Sequence, residues 1–424
     1  MLFSCTGVGI FNRGIESFFR EAFDGLKATP GLEARLIKGA MGSETRHSSP
    51  ATGHSDEYVV WCLARTGRVA PFIGRLTGRS AYAVEQWSSF PAVVGEIRRW
   101  QPHVIFYSEA NLGFLLHRWR SQIGVPFGLL YSNGGPCRPP FHRYDFVHQV
   151  APLYLAEALA AGEPTAKHFM VPYGIHVPAG APVSDPAAKR TLRQKLGLPP
   201  DRPIVLSVGW IARPHKRMDY VIEEVARMPE PRPFLQLLGA IDDASPEIIE
   251  LGNRLLGPAN FSARSVPYEQ VADYYRTADC FVLASLKEGF GRVYLEALIH
   301  GLPTIGHRHP VIEYVLGDAG IVADLSQPGN LAPILAQVLS DCSSGRESAP
   351  FASGSAQDGL HILRLPERAA LFPASRRESV RARFSWPVLA PKYLEMFQAA
   401  ATRPIPGPER GIHAASTSKP KDRP

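Results

Sequence analysis

Residues 280–307 read CFVLASLKEGFGRVYLEALIHGLPTIGH. The opening CFVLAS is a strand-length apolar run, Gly289 and Gly291 form a turn, and about ten helix-forming residues follow before Gly301 and Pro303 stop them. LPTIGH (302–307) is strand-like again. A strand, a glycine turn and a helix amino terminus in that order present unpaired N–H groups and a positive dipole end, which suits an anion such as a diphosphate. Glu288 and Glu296 bracket the turn. Their charge disfavours direct phosphate contact, and carboxylates beside such a site instead accept hydrogen bonds from sugar and ribose hydroxyls. In isolation the two glutamates also fit a loop end and a helix residue paired with His300. Their position at the carboxyl edge of a strand in a parallel sheet favours the ligand reading.

The same grammar extends outward. PIVLSVG (203–209), PFLQLLG (233–239), NFSARSV (260–266) and GIVADL (320–325) alternate with amphipathic stretches such as MDYVIEEVARM (218–228) and YEQVADYYRTA (268–278). This is a βα repeat, and it predicts a doubly wound parallel sheet. The first half carries LFSCTGVG (2–9), LEARLIKG (32–39), HVIFYSE (103–109), PFGLLYS (126–132), YDFVHQV (144–150) and KHFMVPY (167–173). Two α/β domains are therefore expected. They would span residues 1–175 and 201–375, joined by a Pro- and Ala-rich linker over 176–200. Residues 376–402 read as two short helices broken at Pro387 and Pro391, residues 341–358 as a surface loop, and 403–424 as a disordered polar tail.

The chain has 424 residues, of which 45% are hydrophobic and 20% charged, enough to bury more than one core. No apolar run approaches the roughly 20 residues of a membrane span. The start, MLFSCTGVG, lacks the basic and apolar regions of a signal peptide, so a cytoplasmic location is expected. Cys5, Cys62, Cys137, Cys280 and Cys342 are dispersed and predict buried free thiols. The net charge of +7 suits an anionic partner, but basic residues are scattered and no nucleic-acid-binding motif is present.

The pattern EGFGRVYLE followed by ALIHGLPTI resembles the signature of family 4, or group 1, retaining glycosyltransferases of GT-B fold, and the resemblance covers most of the chain. VPYGIHV (171–177), LSVGWIARPHKRMDYVIEEV (206–225), YRTADCFVLAS (275–285) and FSW (384–386) resemble further family segments. The resemblance implies transfer of a sugar from a UDP- or GDP-type nucleotide sugar to a glycan, lipid-linked or small-molecule acceptor, with retention of configuration. It implies no cofactor or metal, in keeping with the absence of any D-x-D triplet.

By the same resemblance Lys216 neutralises the donor diphosphate, Glu288 meets the donor sugar and Glu296 the ribose. Gly209, Gly289, Phe290 and Gly291 line the donor site, and Gly14 with Glu16 belongs to the loop closing from the first domain. The family usually has arginine where this chain has Trp210, and Arg213 is the nearby candidate to supply that charge. Lys216 also fits an ordinary solvated lysine of the PHKR segment. His307 and His309 fit either phosphate donors or loop residues. On the acceptor side, Ser132 and Asn133 stand where the family often has histidine, and Glu109 and Asn111 are the next candidates.

Two other function classes compete with this reading. A nicotinamide-dependent dehydrogenase needs tighter glycine spacing than Gly7, Gly9 and Gly14 provide, and an acidic residue where Lys38 ends the second strand. A catalytically weak nucleotide-sugar-binding subunit stays open through Trp210. Finally, residues 61–100 hold six arginines (Arg65, Arg68, Arg75, Arg79, Arg98, Arg99) against Glu85 and Glu96, a local excess of +4, interleaved with Val69, Phe72, Ile73, Leu76, Tyr82 and Trp87. That composition fits either a solvated helix packed on its own domain or a peripheral contact with the inner face of an anionic membrane.

Overall fold

The computed structural model describes residues 1–11, 13–40, 56–135, 137–179, 185–344, 362–364 and 373–404. Two seven-stranded sheets organise them. The first contains β1 (Leu2–Ser4), β2 (Arg35–Ala40), β3 (Glu57–Trp61), β4 (Val104–Tyr107), β5 (Gly128–Asn133), β6 (Phe146–Gln149) and β7 (His168–Met170). The second contains β8 (Ile204–Val208), β9 (Phe234–Leu238), β10 (Phe261–Arg264), β11 (Cys280–Leu283), β12 (Thr304–His307), β13 (Ile321–Ala323) and β14 (Ile362–Arg364). The orders are β3-β2-β1-β4-β5-β6-β7 and β10-β9-β8-β11-β12-β13-β14.

All pairings are parallel except β13 with the edge strand β14. The expected doubly wound pair of α/β domains is what the chain adopts. β3 and β14 are additional to the expected strands, and both lie at sheet edges. In each sheet the order reverses between two central strands, β1 and β4 in the first, β8 and β11 in the second. Crossover helices leave such a pair on opposite faces and open a crevice at the strands' carboxyl ends.

One apolar core runs through both domains, and a second covers the other face of the first sheet. The link is aromatic: Phe3 packs edge-on against Phe23, Phe106 and Phe397, while Phe18 stacks on Tyr173 with centroids 3.7 Å apart. Tyr173 touches Phe290 of the second domain, which in turn meets Phe384.

Three expectations about connections change. The proposed linker is not open throughout: Pro186–Lys195 is a helix capped by Asp185 and bound to the second domain. Its Arg193 donates to the Thr277, Pro200 and Arg202 carbonyls and to Asp279, so the chain joins the second domain by residue 185. Residues 180–184 lie outside the described residues.

The carboxyl-terminal helices Pro373–Phe384 and Trp386–Thr402 break at Ser385, not at the prolines. Pro387 sits in the first helical turn, where its missing N–H costs nothing, and Pro391 lies inside the second helix. The break lets Ile175 pair with Ser385, with Ile175 N–H donating to the Phe384 carbonyl, so both crossings between domains run side by side. The expected loop 341–358 begins inside the helix Ala332–Ser344, and its remainder lies outside the described residues, as do 405–424 of the expected tail. Among the described residues no helix is long and apolar enough to cross a membrane.

Trp386 seats the returning helix. A Cβ placed on Gly25 would come within 2.7 Å of its indole and one on Gly174 within 2.8 Å, so both glycines are flat surfaces against which the ring lies. Trp386→Ala is expected to destabilise the chain by about 3–5 kcal/mol through the cavity it leaves. A shift of the urea unfolding midpoint checks this, and an unchanged midpoint would mean the ring is not a packing element.

Candidate functional site

The carboxyl ends of the two sheets approach each other where the turn after β11 meets the end of β5. On the second domain β8 leads through Gly209 into the loop that carries Lys216, and β11 leads into Glu288–Gly291. A Cβ on Gly239, at the end of the neighbouring β9, would fall 1.6 Å from the Gly209 carbonyl oxygen, so β8 and β9 end in backbone contact. Lys216 crosses between the two loops and donates from Nζ to Glu288 Oε1 at 2.6 Å. A cation and a carboxylate thereby stand together at the amino terminus of the helix Arg292–Ile299. Gly291, at φ +80°, opens that helix in the left-handed conformation that glycine tolerates best.

Glu296 lies one turn into the helix. Tyr275 donates to its Oε2 at 3.0 Å, and Arg292 is the nearest opposing charge. Burial pushes the Glu296 carboxyl up, with Arg292 and the Tyr275 hydroxyl acting against that shift. The local alternative in which Glu296 pairs with His300 is not what the chain does: His300 Nδ1 bonds the Glu296 backbone carbonyl at 2.7 Å, and its ring stacks on Tyr275.

Arg213 departs from its expected place. Its guanidinium reaches Glu247 at 2.8 Å and Asp219 at 3.5 Å and remains half exposed, so its charge is spent on the helices behind the loop and does not reinforce Lys216. The neighbouring Arg217 donates to the Leu325 carbonyl and faces the Tyr220 ring, which ties the loop to the segment after β13. His307 accepts the Leu325 N–H on Nδ1, and His309 accepts the Val311 N–H. With Nδ1 used as an acceptor, the proton of each neutral ring sits on Nε2. Burial keeps both pKa values below the usual histidine range, which favours that neutral form.

The first-domain side is a buried polar cluster beneath the loop that follows β1. Glu109, at the end of β4, accepts the Thr6 N–H at 3.0 Å, and the Thr6 hydroxyl lies between Glu109 Oε1 and Glu85 Oε1. Glu85 is held by Arg65 at 2.6 Å, and the Arg65 guanidinium is sandwiched between Phe11 at 4.0 Å and Tyr82 at 4.2 Å. Arg13 and Arg65 both pair with Glu16, and a Cβ on Gly7 would collide with Glu16 at 2.6 Å, so the glycine loop is moulded onto that carboxylate. Gly14 begins the next helix with open space around it.

The remaining acceptor-side candidates are mostly walled in. Ser132 hydrogen-bonds His148 at 3.1 Å and Tyr173 at 3.2 Å; His148 in turn donates from Nε2 to the Val171 carbonyl, and burial pushes its pKa down to about 4. Asn133 donates to Gln149 Oε1 and to the Cys137 carbonyl. Ser132, Asn133 and Glu109 are buried side chains that shape the wall, whereas Asn111 keeps a partly exposed one. The Asn111 and Leu112 N–H groups are capped by Gln86 Oε1.

The two halves are joined by contacts that sequence reasoning did not single out. The Tyr154 hydroxyl donates to the Glu288 and Gly289 carbonyls at 2.9 and 2.7 Å. Glu21 pairs with the buried Arg292, accepts the Tyr268 hydroxyl at 3.3 Å and accepts the His176 N–H at 2.8 Å. These residues are more than a hundred positions apart and follow no spacing rule. Only Arg292 had a local signal, since it opens the helix of the glycine turn.

Residues 188–349 match the family described as glycosyl transferases group 1. The chain is similar to D-inositol 3-phosphate glycosyltransferase 2 of Catenulispora acidiphila, 34% identical over 36% of this chain and 39% of that protein. It is also similar to mannosylfructose-phosphate synthase of Agrobacterium fabrum, 35% identical over 33% of this chain and 32% of the relative. The chain thus spans about two fifths of the first of these curated relatives and a third of the second.

Among solved structures, the sucrose-phosphate synthase of Thermosynechococcus elongatus superposes with a TM-score of 0.66 at 19% identity, covering 94% of this chain and 97% of that one. Anabaena HepE in complex with UDP-glucose gives 0.66 at 15% identity, covering 94% and 99%. The fold is that of GT-B glycosyltransferases.

Burial holds the Glu109 carboxyl up at about 7, against 4.5 for an unhindered glutamate. A proton bound more tightly in the folded than in the unfolded chain stabilises the fold at low pH, and that contribution is lost as the pH rises from about 4.5 through about 7. Glu109→Gln keeps an acceptor for the Thr6 N–H and removes the titration. Urea unfolding midpoints are expected to decline between about pH 5 and pH 8 more steeply in the parent than in this variant. Parallel profiles would show that Glu109 does not titrate in that range.

Proposed function

We propose that this chain, whose residues 188–349 match the group 1 glycosyl transferases, moves a sugar from a nucleotide diphosphate sugar to a hydroxyl acceptor. The observation that carries this reading is the meeting of Lys216, Glu288 and the amino terminus of Arg292–Ile299 at the reversal point of the second sheet. In the reaction the bond between the anomeric carbon and the distal phosphate oxygen breaks, and the nucleotide diphosphate leaves with the bonding electrons. The acceptor oxygen bonds the same carbon and its proton is released. Lys216 Nζ and the N–H groups of the first helical turn stand where the growing charge on the leaving phosphate would be balanced. Glu288 then accepts hydroxyl hydrogen bonds from the transferred sugar, and Glu296 those of the ribose.

HepE, a protein of the same fold, has been solved with UDP-glucose and with UDP, which supports a nucleotide sugar as the donor class. The sequence holds no D-x-D triplet, and among the described residues no three His, Cys, Asp or Glu side chains converge as metal ligands. Both observations support a leaving group balanced by Lys216 and backbone dipoles. Retention of configuration follows if the acceptor enters on the face the phosphate leaves. A catalytically weak binding subunit is the second reading, because Arg213 turns away from the site and Trp210 stands partly exposed beside it.

Lys216→Ala is expected to weaken binding of UDP or GDP by about 10- to 100-fold, through loss of a charge-assisted contact. Titration calorimetry measures it; unchanged affinity would remove Lys216 from the donor site. Turnover of a nucleotide-sugar panel, followed as release of nucleotide diphosphate, is expected to survive a chelator. Loss of turnover restored by a divalent ion would overturn the metal-independent reading, and binding without turnover would favour the catalytically weak binding subunit.

The product is expected to keep the donor's anomeric configuration. The anomeric proton coupling in the product NMR spectrum reads this directly, and an inverted centre would exclude the proposed stereochemical course.

A further inference from the structure

The helix Val69–Thr77 is turned inside out relative to an ordinary surface helix. Its buried positions are the small residues Ala70 and Gly74, and a Cβ on Gly74 would lie 2.6 Å from the Arg79 carbonyl oxygen. Its large apolar side chains face solvent: Val69 is 54% exposed, Phe72 61% and Leu76 72%. Spaced three and four residues apart, they form one stripe.

Arg68, Arg75 and Arg79 are exposed around that stripe, and among the described residues no carboxylate pairs with any of them. Arg79 faces the Trp87 ring at 5.5 Å. No Asp or Glu occurs between Tyr58 and Val84. Among the described residues, Arg65 is the one arginine of this stretch paired with carboxylates, Glu85 and Glu16, and it packs on Phe11 of the loop that borders the candidate site. Of the two readings open for residues 61–100, packing of the apolar side chains on their own domain is therefore not the one adopted for Val69, Phe72 and Leu76.

We propose that this helix docks the chain on an anionic phospholipid surface, with Val69, Phe72 and Leu76 entering the boundary between headgroups and acyl chains and Arg68, Arg75 and Arg79 on lipid phosphates. Charge complementarity selects this occupant: an exposed apolar stripe rimmed only by positive charge matches an interface that is apolar beneath and negative above. The docked helix is three residues from Arg65, so the candidate site would sit beside the bilayer, where a lipid-linked acceptor could be reached. The docking stands whether or not the transferase reading does, because its test reads partition and not turnover.

Co-sedimentation with vesicles of phosphatidylcholine alone and of phosphatidylcholine with phosphatidylglycerol tests it. The full chain is expected to pellet with the anionic vesicles only and to be released by salt. Each arginine near such a surface contributes roughly fivefold to partition, so replacing Arg68, Arg75 and Arg79 with glutamine lowers binding by on the order of a hundredfold.

Phe72→Ser with Leu76→Ser leaves every charge in place, including those of the basic tail, and is expected to abolish most of the binding. Both variants alter exposed side chains, and unchanged thermal unfolding confirms that they fold. Equal recovery in the supernatant with both vesicle types overturns the proposal, as does undiminished binding of the Ser variant, which would assign adsorption to charge elsewhere. A concentration-dependent dimer lost on Leu76→Ser, without vesicle binding, would give the stripe to a second copy of the chain and also overturn it.

Discussion

The two domains meet backbone against backbone. A Cβ on Gly289 would lie 2.2 Å from the Gly134 carbonyl oxygen, so the turn after β11 can approach the end of β5 only because no side chain intervenes. Everything at the site depends on this approach. It brings Tyr154 within reach of the Glu288 and Gly289 carbonyls, seats Phe290 against Tyr173, and sets Arg292 on Glu21. A side chain of even one carbon at residue 289 would separate these pairs together.

Charge in the cleft is arranged in two registers. On the second domain a cation and a carboxylate share the mouth of a helix, and both can exchange their mutual bond for bonds to a ligand without leaving a buried charge unpaired. On the first domain the carboxylates lie deeper and are committed. The single Thr6 hydroxyl proton cannot serve Glu109 and Glu85 at once, so a proton retained on Glu109 lets Thr6 donate onward to Glu85, whose negative charge Arg65 balances. This network holds the glycine loop in shape and acts on a ligand through that loop. Most of its buried polar atoms are paired, whereas Glu109 Oε2 and Arg65 Nη1 have no hydrogen-bond partner among the described residues.

The cluster also joins the site to the outer surface. Arg65 belongs at once to the buried carboxylates, to the rings of Phe11 and Tyr82, and to the segment that leads into the exposed helix Val69–Thr77. Separately, the chain crosses between domains twice at one place, where Ile175 pairs with Ser385.

The alternation of β-branched runs with amphipathic stretches was sufficient for the two doubly wound sheets, because period and length are local properties that each segment carries alone. The glycine turn of residues 287–303 was legible for the same reason: strand, turn and helix amino terminus are contiguous. Direction and partnership were not. Arg213 and Lys216 lie three residues apart in one loop, and only the folded chain sends the first to Glu247 and the second to Glu288. Ser132 and Asn133 stood at a strand end that sequence could locate, yet whether they faced the cleft or the wall depended on His148, Tyr173 and Gln149 from other strands and loops. The apolar residues of Val69–Thr77 had the spacing of a buried face; that they point outward was decided by Ala70 and Gly74, whose small size lets the opposite side of the helix close onto its neighbour. Periodicity reports that a face exists, and tertiary packing alone chooses which face is covered, because that choice is made by the shape of residues distant in the chain.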